Sequence, residues 1–484
     1  MKKQLRNIPK YALLLSPLFL AACAVTAPTA QLTDQVATKW YSPLPSANSA
    51  AANKTDLPHQ GSVKALGDWW QSLGDPLLVE LISSAQAVSP SVTAAANRIA
   101  QARSALVATS AASAPNLAGA ASASRGGSQL NTPIASMGQV GLQASWEIDL
   151  WGGNRAAQDA AQARLSGSEA GWHEARVSVA AEVANTYLSL RTCELLVTVT
   201  KDDAASRAET ARLTELLAKA GFTAPANAAL ARASNAQGQS MQTMQRTQCD
   251  MSIKALVALT TFTEPEIRLK TAVADVNRAY IAINNIAITI LPAQLLAQRP
   301  DVFAAQQEVA AASGDVGSAQ AAKYPRLGLN GSLGFAAIRS GGVKTDGTTW
   351  SIGPVSVTLP ILDGGRSSAA VDLANANYEA ASANYRAKVR GAVREVEEAL
   401  LSLQSTADRL QDAAVATEGY AAAFAASEAR YKSGLGSLSD LEDNRRTALA
   451  AKTALLNLER ERSAAWVALY RALGGGWSNN TKSM

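Results

Sequence analysis

The side chains that most often carry out chemistry are scarce in this sequence of 484 residues. It contains two histidines, His59 and His173, and three cysteines, Cys23, Cys193 and Cys249. The chain has no CxxC, HExxH, P-loop or GxSxG motif, the patterns that bind zinc or phosphate or activate a nucleophile. The sequence therefore predicts no catalytic residue and no metal site, and we expect that the protein is not an enzyme.

The charge balance does not indicate a nucleic-acid partner. Lysine and arginine number 44 and aspartate and glutamate 39, but four of the basic residues lie in the first ten positions. Without those four, 40 basic residues stand against 39 acidic ones. Proteins that bind nucleic acid usually carry a basic patch or stripe. We therefore predict no nucleic-acid binding.

The first 22 residues have the layout of a secretory signal peptide, with a basic start followed by about a dozen mostly apolar residues. That run is short for a membrane helix, the alternative interpretation, and Pro17 interrupts it. Its end, Leu-Ala-Ala-Cys23, resembles a bacterial lipobox, whose cysteine receives a diacylglycerol and an N-acyl chain such as palmitate. Ala24 in place of Asp indicates the outer membrane. We predict lipidation at Cys23, an acylated tether over 23–66, and no other cofactor.

The sequence repeats itself once. Glu182–Leu190 aligns with Glu395–Leu403, and both segments end in Leu-Ser-Leu. Further along, Lys219–Gly221 aligns with Lys432–Gly434, and the offset stays between about 210 and 213 over a hundred residues. A constant offset predicts an internal duplication of one unit of about 200 residues.

Each repeat begins with two runs in which apolar and polar or small residues alternate. Examples are Val140–Ile148, Leu327–Phe335 and Val355–Leu359, whereas 115–124 is the weakest of the four. Alternation predicts strands with one apolar face. The runs are about ten residues long, the length of a tilted strand that spans a membrane.

A long helical pattern follows each strand pair. Arg366–Lys432 contains no proline, and its apolar residues recur at alternating spacings of four and three. That spacing is a heptad seam, and about 65 residues would form a helix near 100 Å long. Because alanine also fills flanking positions, a wall of helices fits better than a two-stranded coiled coil. A long globular bundle is the alternative. The seam consists of Val389, Val393, Val396, Leu400, Leu403, Ala407, Leu410 and Ala414.

Four strands are too few to form a membrane-spanning sheet alone. Lipid offers no partner for unpaired backbone groups, so the sheet must close, and natural barrels begin at about eight strands. Three chains would supply twelve strands. The sequence therefore favours a homotrimer, although two or four chains would also satisfy this argument.

Five further motifs are spread along the chain: Asp68-Trp69-Trp70, Gly74-Asp75-Pro76, Trp146–Gly152, Leu291–Asp301 and Pro360–Arg366. In these motifs the chain resembles the TolC-like outer membrane factors, in particular the lipoprotein branch (NodT-type) that serves resistance-nodulation-division (RND) efflux pumps. The similarity runs from about Asp68 to Leu473.

The resemblance implies an α+β membrane protein, a homotrimer whose twelve-strand β-barrel joins a twelve-helix α-barrel. Each chain would contribute two copies of a unit made of two β-strands and a long helical hairpin. The protein would lie in the cell outer membrane, lipid-anchored, and extend into the periplasm. Its partners would be outer membrane lipid, a periplasmic adaptor (membrane fusion) protein and an inner-membrane RND transporter.

The family also implies a periplasmic gate at the second hairpin tip. The matching residues are Tyr431, Asp440, Asp443 and Arg446, and three copies of the acids would favour cations at a narrow end. The alternative is helix capping: Ser439 and Glu442 have the spacing of a capping box, and an acid in the first turn suits the helix dipole. Gly436 stands where some relatives place a basic residue.

A disulfide between Cys193 and Cys249 is predicted. The two cysteines lie 28 residues before and after Gly221, so antiparallel helices that turn at this glycine would bring them side by side. An oxidising compartment then favours a bridge. Two buried free thiols are the alternative.

We predict that the protein is the outer membrane exit duct of an efflux system. Rival interpretations are a periplasmic coiled-coil structural lipoprotein and a duct for protein secretion or metal export. The predicted segments are 1–22 signal peptide, 23–66 tether, 67–114 N-terminal helices, 115–149 first strand pair, 150–262 first helical hairpin, 263–300 equatorial linker, 301–323 helix, 324–361 second strand pair, 362–474 second helical hairpin and 475–484 tail.

Overall fold

The computed structural model describes residues 25–32, 40–42, 69–127, 134–273 and 299–477. The predicted signal peptide, Cys23, most of the tether, the Leu291–Gln298 part of the leucine-proline motif and the end of the C-terminal tail lie outside the described residues.

The order of the elements repeats twice. After the short helices α1 to α3 come β1, β2, α4 and α5, and after α6 and α7 come β3, β4, α8 and α9. Helices α4 and α8 both have 67 residues, and α5 and α9 both have 35. This equality confirms the duplicated unit of two strands and a helical hairpin. The bounds are α1 Trp69–Ser72, α2 Pro76–Val88, α3 Pro90–Ala112, β1 Asn116–Gly126, β2 Ala135–Ile148, α4 Gly153–Lys219, α5 Pro225–Leu259, α6 Glu264–Val273, α7 Pro300–Ala321, β3 Arg326–Ser340, β4 Val343–Thr358, α8 Arg366–Lys432 and α9 Leu438–Ala472.

The four strands form one antiparallel sheet in the order β1-β2-β3-β4. Because directly paired residues share a face, the register collects the apolar side chains on one face and small or polar ones on the other. The apolar face comprises Leu117, Val140, Leu142, Trp146, Ile148, Leu327, Leu329, Leu333, Phe335, Trp350, Ile352, Val355 and Val357.

The chain divides into two compact units. Unit 1 contains the sheet and the described residues of 25–32, 96–170 and 303–387. Its helical core packs Val309 and Val316 of α7 against Tyr378 of α8. Gly314 lets α7 approach α4 closely, because a Cβ there would lie 2.6 Å from the carbonyl oxygen of Ala156.

Residues 25–32 are docked on the helices of unit 1. The Ser313 hydroxyl donates to the Pro28 carbonyl at 2.6 Å, Gln306 donates to the Ala30 carbonyl at 3.0 Å, and the Tyr378 hydroxyl donates to the Thr29 carbonyl at 2.9 Å. Leu32 packs against the apolar core of α7 and α8. Residues 25–32 of the predicted tether are therefore held by side-chain hydrogen bonds.

Unit 2 contains residues 35–95, 171–302 and 388–484, of which those in the described ranges can be placed. Its N-terminal motif has a clear structural role. Trp69 stacks on Tyr470 of α9 with ring centroids 4.8 Å apart. Asp75 caps α2 by accepting from two backbone N–H groups, and its other oxygen accepts from the Tyr187 hydroxyl of α4 at 2.7 Å. Pro76 begins the helix, as its fixed φ allows.

None of the described helices is both long and apolar enough to cross a membrane. In the predicted linker 263–300, Glu264–Val273 forms helix α6, and 274–298 lie outside the described residues.

Candidate functional site at the hairpin tips

Both helical hairpins turn through five residues that contain a left-handed glycine. Gly221 follows α4 with φ 82° and Gly434 follows α8 with φ 77°. In each turn, the backbone N–H of the third residue after the helix donates to a carbonyl in the last turn of that helix, from Phe222 to Leu217 at 2.9 Å and from Leu435 to Arg430 at 2.8 Å. The two tips therefore share one backbone design and differ in their side chains.

The predicted gate residue Tyr431 faces the first hairpin. Its hydroxyl lies 2.6 Å from the Thr214 hydroxyl of α4, a hydrogen bond between the two hairpins of one chain. Beside it, Leu438 and Leu441 of α9 are buried against Ala211 of α4 and Ala231 of α5. Tyr431 therefore closes an apolar seam between the hairpins.

The other three predicted gate residues lie on the exposed side of α9. Asp443 and Arg446 pair at 3.1 Å, with side chains 67% and 77% exposed. The backbone N–H of Asp440 donates to the Ser437 hydroxyl at 3.0 Å, and the Asp440 side chain is exposed. The structure thus brings Asp440, Asp443 and Arg446 together on one helix and places Tyr431 on a different contact.

The capping alternative is wrong for the Ser439–Glu442 box, although Asp440 does lie in the first turn of α9 as that alternative predicts. The N-cap of α9 is Ser437, whose hydroxyl accepts from Asp440, so Ser439 and Glu442 do not form the predicted capping box. The reason is that α9 begins at Leu438, two residues earlier than that box requires. Gly436 lies just before the cap, where a Cβ would approach the Tyr431 nitrogen to 3.1 Å.

Glu442 instead belongs to a buried ionic cluster that the sequence motifs did not predict. One of its oxygens accepts from Arg207 of α4 at 3.2 Å and from the Ser234 hydroxyl of α5 at 2.6 Å, and the other accepts from Arg445. The side chains of Arg207 and Arg445 are only 7% and 2% exposed. Arg207 also pairs with Asp203 at 2.7 Å.

Arg445 completes the connection between the hairpins. Its second terminal nitrogen donates to Ser206 at 3.0 Å and to Thr210 at 2.9 Å, both on α4. We call Asp203, Arg207, Glu442 and Arg445 the hairpin clasp. A buried charge is tolerated when it is paired and hydrogen-bonded, so the hairpin clasp and the Tyr431 contact can hold the two tips together within one chain.

One sequence signal could have revealed the part of the hairpin clasp that lies on α9. Leu438, Leu441, Glu442 and Arg445 stand at i, i+3, i+4 and i+7, the spacing of the buried stripe of a helix. Asp440 and Asp443 lie outside this stripe. A charged pair within an apolar stripe indicates buried ions.

The two cysteines are joined, with an S–S distance of 2.05 Å and Cα atoms 5.5 Å apart. The bridge connects α4 to α5 within the first hairpin. The Gln245 amide donates to the Cys193 sulfur at 3.1 Å. The bridge therefore fixes the relative position of the two helices well back from the tip at Gly221.

The Arg-Pro-Asp motif forms a second ionic cluster in unit 2. Arg299 donates to both oxygens of Asp301 at 2.9 Å, to Glu395 of α8 at 2.8 Å and to the Ala472 carbonyl at the end of α9 at 2.9 Å. Burial would raise the pKa of Asp301, but the Arg299 hydrogen bonds and charge outweigh it and hold the pKa below its ordinary value. The motif thus ties the start of α7 to both helices of the second hairpin.

Across the described residues, no group of three or more His, Cys, Asp or Glu side chains is placed to hold a metal ion.

Comparisons with known proteins agree on one family. The model of the family described as outer membrane efflux protein matches residues 81–261 and 291–475, one match for each repeat. The chain is 30% identical to the outer membrane protein OprJ of Pseudomonas aeruginosa over 71% of each chain. It is 27% identical to nodulation protein T of Rhizobium leguminosarum bv. viciae, over 88% of this chain and 90% of that one.

The solved structure of the outer-membrane channel OprN superimposes with a TM-score of 0.78 at 27% identity, and the match covers 94% of this chain and all of OprN. The TolC-like fold predicted from the sequence motifs is confirmed. The chain belongs to the outer membrane efflux protein family.

Proposed function

We propose that this protein is the exit duct of a tripartite RND-type efflux system. It passively conducts solutes from a periplasmic adaptor and an inner-membrane transporter to the outside of the cell. Membership of the efflux family supports the outer membrane location and the transport role. The passive mechanism agrees with a sequence that lacks the common catalytic motifs.

The observation that carries the proposal is the incomplete sheet. Within the described residues, β1 and β4 each pair with one strand only, so each sheet leaves two open edges beside an apolar face. An apolar face of this kind is suited to contact with lipid. Lipid offers no hydrogen-bond partner for the unpaired backbone groups of an open edge, so the edges must pair with other strands. Three copies would join β4 of one chain to β1 of the next and close twelve strands around a pore lined by the small and polar face.

The hairpin tips would then form the periplasmic gate. Threefold symmetry would bring three copies of the exposed Asp440, Asp443 and Arg446 near the pore axis, where the acids attract cations. Because Tyr431 and the hairpin clasp hold the two hairpins of one chain together, these contacts would keep the tip closed until the adaptor separates the hairpins.

The lipid anchor at Cys23 is part of the same proposal. The docked segment 25–32 begins two residues after Cys23, and it lies in the unit that contains the membrane-facing sheet. Acyl chains on Cys23 would insert beside the closed barrel, and the long helices would extend into the periplasm.

Mass and conductance together test the duct. The full-length chain, extracted in detergent from a host that acylates lipoproteins, is expected to have the mass of a trimer, to migrate faster after heating, and to conduct ions in planar bilayers. A structural spacer would be electrically silent. A monomer without conductance would contradict the proposal.

A further inference from the structure

The turn end of the sheet carries a row of basic side chains on its apolar face. Arg125 of β1 pairs with Ser136 of β2, Ser136 pairs with Arg339 of β3, and Arg339 pairs with Lys344 of β4. Directly paired residues lie side by side on one face. Arg125, Arg339 and Lys344 therefore form one line across all four strands, which we call the basic row, and all three are exposed.

The basic row lies at the end of the sheet that holds most of the charged residues of the four strands. The four strands contain only six charged residues, and two of these, Glu147 and Arg326, lie at the other end of the sheet next to the helices. The remaining four are the basic row and Asp346, which lies one step below Lys344 on the same face, 3.5 Å from its ammonium group. The net charge at the turn end is thus two positive charges per chain, and the opposite face carries none there.

The height of the basic row fits a lipid headgroup. Trp146, a side chain of the type found where lipid meets water, donates to the Ser113 carbonyl near the helical end of the sheet. Trp146 and Ser136 are ten positions apart along β2. At about 3.3 Å per residue and a tilt of about 40°, the basic row lies about 25 Å above Trp146, the height of the apolar band of an outer membrane barrel.

We propose that the basic row binds the phosphate groups of anionic lipid in the outward-facing leaflet of the outer membrane. This rests on the proposed function, which turns the apolar face to lipid and the turn end to the outside. Guanidinium groups bind phosphate oxygens through paired hydrogen bonds, and basic side chains at a membrane surface attract anionic headgroups. Leu142, Leu333 and Trp350, below the row on the same face, would contact the acyl chains.

Lipid retention by matched double variants tests the proposal. Full-length protein is reconstituted in phosphatidylcholine with a minor fraction of diphosphoryl lipid A, and the lipid A that stays bound after transfer to detergent is counted per chain. Arg125→Gln with Arg339→Gln is expected to lower retention about tenfold or more, since each basic group at an anionic surface contributes about a factor of five. Lys323→Gln with Arg326→Gln removes two charges at the other end and should retain lipid A like the wild type.

Two further arms test the sign of the charge and separate lipid from free phosphate. Asp346→Asn is expected to increase retention, because it removes the one acid beside the basic row. Excess inorganic phosphate should leave the amount of retained lipid A unchanged, and displacement of lipid A by phosphate would overturn the assignment to lipid. Equal retention by wild type and the Arg125/Arg339 variant would also overturn it. Both double variants should conduct ions in pure phosphatidylcholine bilayers, whereas a silent wild type would contradict the duct itself.

Discussion

Glu442 is the residue on which the hairpin clasp depends. Its carboxylate lies between two buried guanidinium groups, so Glu442→Gln leaves Arg207 and Arg445 without their shared charge partner. Removing one partner of a buried ion pair typically costs about 3–5 kcal/mol. We expect a clear fall in the thermal midpoint of helix loss, measured by circular dichroism in detergent.

The control for Glu442 lies on the same helix. Asp443→Asn removes one charge of the exposed Asp443–Arg446 pair, and such surface pairs contribute about 0–1 kcal/mol. The midpoint of this variant should stay close to that of the wild type. Equal midpoints for the two variants would show that the hairpin clasp does not stabilise the tip.

Tyr431 tests whether the contact between the hairpins holds the pore closed. Tyr431→Phe and Thr214→Val each remove the same 2.6 Å hydrogen bond, which contributes about 1 kcal/mol. Each variant should raise the fraction of time that single channels spend open in a planar bilayer. The double variant should open no more than either single one, and additive effects would mean that the two side chains act separately.

We expect the ionised Asp301 carboxylate to make the stability of the protein depend on pH in the acid range. Its folded pKa lies below the ordinary value because Arg299 outweighs the effect of burial. A depressed carboxylate pKa stabilises the fold fully above the unfolded pKa, near 3.9, and the contribution is lost as pH falls through the folded value. The loss should be visible between about pH 5 and pH 3, as Asp301 begins to take up a proton. In this range the unfolding midpoint of the wild type should drop more steeply than that of Asp301→Asn. Parallel curves would contradict this role.

At the scale of elements, the bridge between α4 and α5 restrains the first hairpin. Alkylation of the unreduced, denatured chain should label neither Cys193 nor Cys249, and reduction should expose both. Replacing both cysteines by serine should lower stability by about 2–4 kcal/mol, because the open chain regains the freedom of a loop of 56 residues. Labelling of both cysteines without reduction would contradict the bridge.

The elements themselves could be predicted because their signals are local. Alternation in Val140–Ile148 and the heptad spacing in Arg366–Lys432 reflect the geometry of a strand and a helix, so a short stretch of sequence suffices. The two long helices have equal lengths in the structure, as the predicted duplication requires. The docking of the predicted tether could not be predicted from the sequence. Pro28 and Ala30 accept hydrogen bonds through their backbone carbonyls, which residues of every type possess.

Only part of the candidate site could be predicted, because its other contacts join residues that are far apart in the sequence. Asp440, Asp443 and Arg446 could be matched to a family motif within one helical stretch. The contacts from Arg207 to Glu442 and from Thr214 to Tyr431 join residues more than 200 positions apart, and no periodicity encodes such a pairing. The start of α9 also rules out the Ser439 capping box, because the observed N-cap lies two residues earlier.

At the scale of the whole molecule, one asymmetry between the repeats would determine the ion selectivity of the proposed gate. The helical hairpins are equal in length, but Asp440 and Asp443 correspond to Asn227 and Leu230 of the first repeat. Only one tip in each chain therefore carries the exposed acids. In a trimer the gate would hold three acid-bearing tips, and its preference for cations should depend on how many of them remain charged.

Mixed trimers make that dependence measurable. Co-expression of the wild type with Asp440→Asn/Asp443→Asn, each with a different affinity tag, should give single channels of four kinds, with none, one, two or three neutral tips. Cation selectivity, measured as the reversal potential in a salt gradient, should fall stepwise with each neutral tip while the conducting barrel is unchanged. A control pool with Arg232→Gln, on the first hairpin outside the gate, should give a single class. Three classes from the acid variant would indicate two chains per pore and five would indicate four, so the number of classes counts the chains that close the sheet.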